Sequence, residues 1–175
     1  MNVVQHNNEN IDSICPVPLK QQPIREYWHL KQRRFFRWAI LERGKYVTKL
    51  VAVWISALLL VLFILALRSP TSDLSDEDFW LGALVAELVV LLFLIRLYFA
   101  WHYIYSRLIG REIDYQLMAT RKTKLWRKSE LVLAQDLLVA RFQVRPILQR
   151  LDRSMVLLTI IMSFNFLILF VTTNY

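Results

Sequence analysis

Glycine and cysteine are scarce in this chain, with three of one and one of the other, and the scarcity excludes several kinds of chemistry. The single cysteine, Cys15, cannot form an intrachain disulfide and has no metal-ligand companions around it. Gly44, Gly82 and Gly110 are too few and too scattered to build a phosphate-cradling loop. Neither HExxH nor CxxC occurs, and no nucleophile stands beside a base, so no catalytic residues are assigned and no enzyme is expected. His6 and His29 lie in polar or interfacial sequence without a companion at ligand spacing, so no metal is expected. Residues 1–14 lack the basic and apolar regions of a signal peptide and the arginine pattern of a transit peptide. The first apolar run is therefore expected to direct insertion itself. Internal repeats and low-complexity tracts are also missing.

Apolar residues, by contrast, make up 56% of the 175 residues, and the net charge is +8. The two are segregated, as a bilayer requires. Leu50–Leu67 is an uncharged run of eighteen residues, spanning roughly 27 Å as a helix. Phe79–Tyr105 is longer and carries Glu87 and Arg96. Met155–Val171 holds seventeen residues, and a buried soluble helix is the competing reading for it. The expected fold is thus an all-α membrane protein with three transmembrane helices. Lysine and arginine set its orientation. Residues 1–49 hold nine of them and 106–154 hold eleven; the loop 68–78 holds only Arg68 against four acids, and the tail holds none. The N-terminus and the large loop are expected inside, the acidic loop and C-terminus outside.

Four segments follow from this division: an inner arm over 1–49, two spans with a short outer loop over 50–105, a basic inner region over 106–154, and the third span with its tail over 155–175. Residues 16–23 contain three prolines and are expected to run extended, close to polyproline II, with Pro23 opening a helix. From Ile24 to about Arg43 the spacing of Ile24, Trp28, Phe35, Trp38 and Leu41 predicts an interfacial amphipathic helix, with Arg33, Arg34 and Arg37 reaching outward. Gly44 is placed at its end. Alternation at Ile113, Tyr115 and Leu117, followed by a polar stretch and Leu125–Trp126, predicts a short β-hairpin. Ser129 is expected to cap a helix that Pro146 kinks or restarts.

Glu87 is the sharpest chemical feature, an intramembrane carboxylate roughly 12 Å deep. Arg96 lies nine residues on, on the opposite face, and is no easy partner. Asn165 falls near the same depth on the third span. The plain structural reading is a protonated Glu87 bonded to Asn165, joining two helices; a proton or ion pathway, and a contact to another subunit or a pigment, are the alternatives. Arg96, Trp101 and His102, among Tyr98, Tyr103 and Tyr105, read as an interfacial anchor. His102 could also ligate a chlorophyll magnesium. The stretch Arg121–Lys128 could attract nucleic acid, but beside a membrane it favours anionic headgroups or an acidic protein, with a merely solvated face as the bland alternative.

Four segments carry a family resemblance: CPVPLKQQPIREY at Cys15–Tyr27, FFRW at Phe35–Trp38, RLYFAWHYIYSRL at Arg96–Leu108 and QVRPILQRL at Gln143–Leu151. Over about residues 15–153 the chain resembles the family called hypothetical chloroplast reading frame thirty-six, also described as conserved in the green lineage and diatoms and found in cyanobacteria. One departure is the basic, glycine-free stretch Tyr115–Lys128, where the family usually has glycine and acids. The resemblance implies a thylakoid membrane of a plastid or cyanobacterium, with stroma or cytosol inside and lumen outside. It implies a membrane protein without an established catalytic activity and a role in building, supporting or protecting the photosynthetic apparatus. The expected function is a non-catalytic accessory subunit or assembly factor, its spans packed on photosystem or antenna subunits. Arg33, Arg34, Arg37, Arg121, Lys122, Lys124, Arg127 and Lys128 would dock an acidic stromal partner such as a phycobilisome core. No cofactor of its own is expected, only peripheral chlorophyll or lipid contacts, and no nucleic acid. A small transporter or proton conductor using Glu87 is the alternative.

Overall fold

The structure, a computed structural model, describes residues 17–18, 21–68, 75–116 and 123–174. Among them the order is helix α1 (Pro23–Gln32), a 3-10 turn (Phe36–Ile40), helices α2 (Arg43–Arg68) and α3 (Asp76–Ile109), strands β1 (Glu112–Gln116) and β2 (Thr123–Arg127), helix α4 (Glu130–Val139), a π-helical turn (Ala140–Val144) and helix α5 (Arg145–Asn174). Three helical runs are long and apolar enough to cross a membrane: Arg43–Leu67, Asp76–Ile109 and Glu130–Asn174. Each expected span lies inside one of them. The helices run past the apolar stretches at both ends because a helix continues through flanking polar residues wherever its backbone bonds stay satisfied. The predicted hairpin is also present, antiparallel, with Ile113 opposite Trp126.

The chain divides into two compact units, one drawn from residues up to 37 and from 100–148, the other from 38–99 and from 149 onward. In the first, Tyr27, Trp101, Leu108, Ala140 and Val144 are buried, and Val17 packs with Ile113 and Trp126. In the second, Leu58 meets Ala83 and Ala86, flanked by Trp54, Ala57 and Leu62. The approach is close because the facing residues are small. A Cβ on Gly82 would sit 3.3 Å from side-chain carbons of both Leu58 and Leu62. Most other large residues on α2 and α5 face outward, including Leu59, Phe63, Ile160 and Phe164.

Three local expectations are corrected. Pro18 O accepts from Gln21 N–H at 2.8 Å, a bond that a polyproline II run over 16–23 would not make, and Pro23 opens α1; residues 16, 19 and 20 lie outside the described ones. The amphipathic helix is not continuous to Arg43. It stops at Gln32, and Arg33 is extended at φ −69°, ψ 128°. Distant donors take up carbonyls beyond the break: the Trp101 indole bonds Phe36 O, and Arg150 bonds Ala39 O and Leu41 O. An uninterrupted α-helix would spend those acceptors on its own amides. Gly44 does not end a helix but lies in the first turn of α2, where Thr48 Oγ1 donates to its carbonyl. At Pro146 the helix does restart, as expected: the run widens into a π turn at Ala140–Val144 and α5 begins at Arg145, so the turn absorbs the amide that proline lacks. Ser129 sits at the N-cap as expected, although its side chain makes no capping bond.

Candidate functional site

Glu87 and Asn165 meet as depth counting predicts. Asn165 Nδ2 donates to Glu87 Oε1 at 3.1 Å, and the two residues are 3% and 5% exposed. Glu87 Oε2 and Asn165 Oδ1 are buried without a hydrogen-bond partner among the described residues. Glutamine at position 87 would keep the bond from Asn165 and add its own N–H. Glu87→Gln is therefore expected to change unfolding stability by less than about 0.5 kcal/mol, while Asn165→Leu costs about 1–2 kcal/mol. Thermal unfolding of the purified chain in detergent checks both; equal losses would mean that the carboxylate itself is required.

Beside this pair, Tyr46 Oη donates to Ser154 Oγ at 3.1 Å, and Ser154 Oγ donates to Arg150 O at 3.0 Å. The Arg150 guanidinium lies 5.9 Å from the Tyr46 ring centroid. These contacts fix the N-terminal part of α2 against α5.

The expected basic surface is only partly a surface. Arg33, Arg34, Arg37 and Arg127 are exposed. Arg121 and Lys122 lie outside the described residues, and Lys124 is placed only as a backbone position of β2. Lys128 leaves the docking set. Its side chain is fully buried, with Nζ 2.6 Å from Asp136 Oδ2, 2.9 Å from Arg107 O and 3.1 Å from Leu108 O. An ammonium so enclosed cannot meet a partner. Trp101 likewise is no interfacial anchor: it is 0% exposed, packs edge-on to Tyr27 and hydrogen-bonds Phe36 O at 3.3 Å. Arg96 and His102 are exposed on α3.

Sequence reasoning missed the joint that holds the arm onto the end of α3. Arg107 Nη1 bonds Glu26 Oε1 at 2.8 Å and Tyr103 Oη at 2.9 Å, while Nη2 bonds Gln21 O at 3.1 Å. Burial raises the Glu26 carboxyl above its usual value, against the downward pull of Arg107. Tyr27 Oη donates to Gln143 Oε1 at 2.6 Å, reaching the π turn. Asp136 was missed too, although an acid set within the apolar run LVLAQDLLV, beyond the first-turn Glu130, signals a buried partner. No group of acids, histidines and cysteines among the described residues could hold a metal ion.

A predominantly helical chain with three apolar runs of spanning length and a small two-stranded hairpin defines the class: a small helical protein with three helices long and apolar enough to cross a membrane. The chain belongs to the CGLD27-like family, conserved in the green lineage and diatoms 27, which it matches over residues 15–157. It is 31% identical to the ycf36 protein of Cyanophora paradoxa over 156 residues, covering 89% of this chain and 98% of that one. The ycf36 protein of Porphyra purpurea is 30% identical over 141 residues, covering 81% and 86%. A chloroplastic protein of Arabidopsis thaliana, "conserved in the green lineage and diatoms 27", is 27% identical over 141 residues, covering 80% of this chain and 43% of that longer one. No solved structure matches.

Proposed function

We propose that this chain is a non-catalytic accessory subunit or assembly factor of a thylakoid photosynthetic complex. Three spans anchor it, and its arginine-rich arm docks an acidic protein on the stromal or cytoplasmic face. The observation that carries this reading is the exposed cluster Arg33, Arg34 and Arg37, set in and just after the break that ends α1. Backbone carbonyls beyond that break are held by Trp101 and Arg150, so the cations stand on a fixed turn. Its membership of a family with a chloroplastic relative supports a plastid or cyanobacterial membrane. Exposed Leu131, Leu138 and Phe142, spaced as one face of a helix, add an apolar contact that a protein partner would cover.

The test is isolation of the tagged chain in mild detergent with its bound proteins identified. Arg33→Gln, Arg34→Gln and Arg37→Gln together are expected to release an acidic stromal partner while leaving membrane insertion unchanged. The wild-type contact should weaken as ionic strength rises from about 0.1 M to about 1 M, where the screening length falls from ~10 to ~3 Å. A stromal contact indifferent to both salt and the triple substitution would refute the docking role. Loss of proton flux in Glu87→Gln, with assembly intact, would instead favour a transporter.

A further inference from the structure

In the second unit an open groove of about 360 Å³ lies between α2, α3 and α5. Its floor is α3, where Glu87, Val90 and Leu94 are only 1–4% exposed. Its sides are Val47 and Val51 of α2 and Leu157 and Ile161 of α5, all substantially exposed, so it opens toward the lipid of any bilayer these helices cross. Along α2 it runs from Tyr46 to Trp54, about 12 Å at the helical rise.

Size and polarity restrict the occupant. An extended chain lies wholly within the groove's volume, whereas a partner helix about 10 Å across would seat only a ridge of its side chains there and leave Glu87 Oε2 at the floor to whatever single residue reached it. That volume is near the lower end of ligand sites, roughly 300–1,000 Å³. Among its polar lining groups, the Tyr46 and Ser154 hydroxyls already donate, to Ser154 Oγ and Arg150 O. Glu87 Oε2 is buried and has no partner among the described residues. A charged head group this far from water would be costly. A hydroxyl both donates and accepts, so it matches Oε2 as acid or as carboxylate.

We propose that this groove binds a neutral, single-chain lipophile ending in a hydroxyl. The hydroxyl sits at Glu87 Oε2, and the chain lies over Val90 and Leu94 between Leu157 and Val51. The site stands independently of the docking role proposed above.

The probe is a dodecanol carrying a diazirine in its chain, added to the full-length protein in phosphatidylcholine nanodiscs. After irradiation, adducts are expected to concentrate on Val51, Val90, Leu94 and Leu157. Unlabelled dodecanol should displace them about tenfold better than dodecane, one good hydrogen bond's worth. Glu87→Leu should retain labelling but abolish the preference for alcohol over alkane, which a lost fold would not do. Adducts spread evenly over outward residues such as Leu59 and Phe63 would overturn the site. Equal competition by dodecane in the wild-type chain would overturn the role of Glu87.

Discussion

Lys128→Met is expected to destabilise the first unit by about 3–5 kcal/mol, the cost of breaking a buried ion pair from one side. The ammonium is enclosed, with side-chain exposure of 0%, and Asp136 is 4% exposed. Its three N–H groups meet Asp136 and the carbonyls of Arg107 and Leu108 in the last turn of α3. Those carbonyls belong to the unpaired set at any helix C-terminus, where a cation is also favoured by the helix dipole. Methionine fills similar space but satisfies none of the three acceptors. Lys128→Met with Asp136→Leu should recover most of the loss, leaving about 1–3 kcal/mol for the two bare carbonyls. Unfolding of each variant in detergent, followed by circular dichroism, measures this. A single-variant loss below about 1 kcal/mol would be the behaviour of a solvated pair and would refute the enclosed latch.

The same lysine shows where sequence reasoning reaches its limit. In RKTKLWRK it is one cation among five, and a charge run ordinarily faces solvent. Only the fold, which brings Asp136 and the end of α3 around it, distinguishes it from Arg127 beside it. Trp101 was hidden in the same way. An aromatic near the end of a span belongs equally to a lipid interface or a core, and the choice depends on Tyr27 and Phe36 arriving from more than sixty positions earlier. The three long apolar helices were legible because length and apolarity can be read directly from the sequence. The Glu87–Asn165 bond was legible because depth along a helix is fixed by its rise. The hairpin followed from alternation. The break after Gln32 and the π turn before Pro146 were not legible, since both depend on which distant donors and acceptors reach the backbone.

Arg107→Leu is expected to cost about 2–3 kcal/mol, the range for hydrogen bonds to a charged group, because it uncouples the arm from the end of α3. Both it and Glu26 keep 20% of their side chains exposed, so the full penalty of a buried pair does not apply. Arg107→Lys should recover only part of the loss. An ammonium is a point donor and cannot replace a planar fork that bonds Glu26 and Tyr103 through one nitrogen and Gln21 O through the other. The loss should also depend on pH. Burial holds the Glu26 carboxyl above its ordinary 4.5, with Arg107 pulling the other way. A raised carboxyl favours the folded state fully below the unfolded value, and that contribution is lost as pH rises through the folded one. Without Arg107 the carboxyl rises further, so the loss continues over a longer interval and the gap between variant and wild type widens from acid toward neutral pH. Glu26→Gln in the Arg107→Leu background should remove that widening. Unfolding free energies between about pH 4 and about pH 8 measure it, and a gap constant across that range would exclude Glu26 as the group that Arg107 serves.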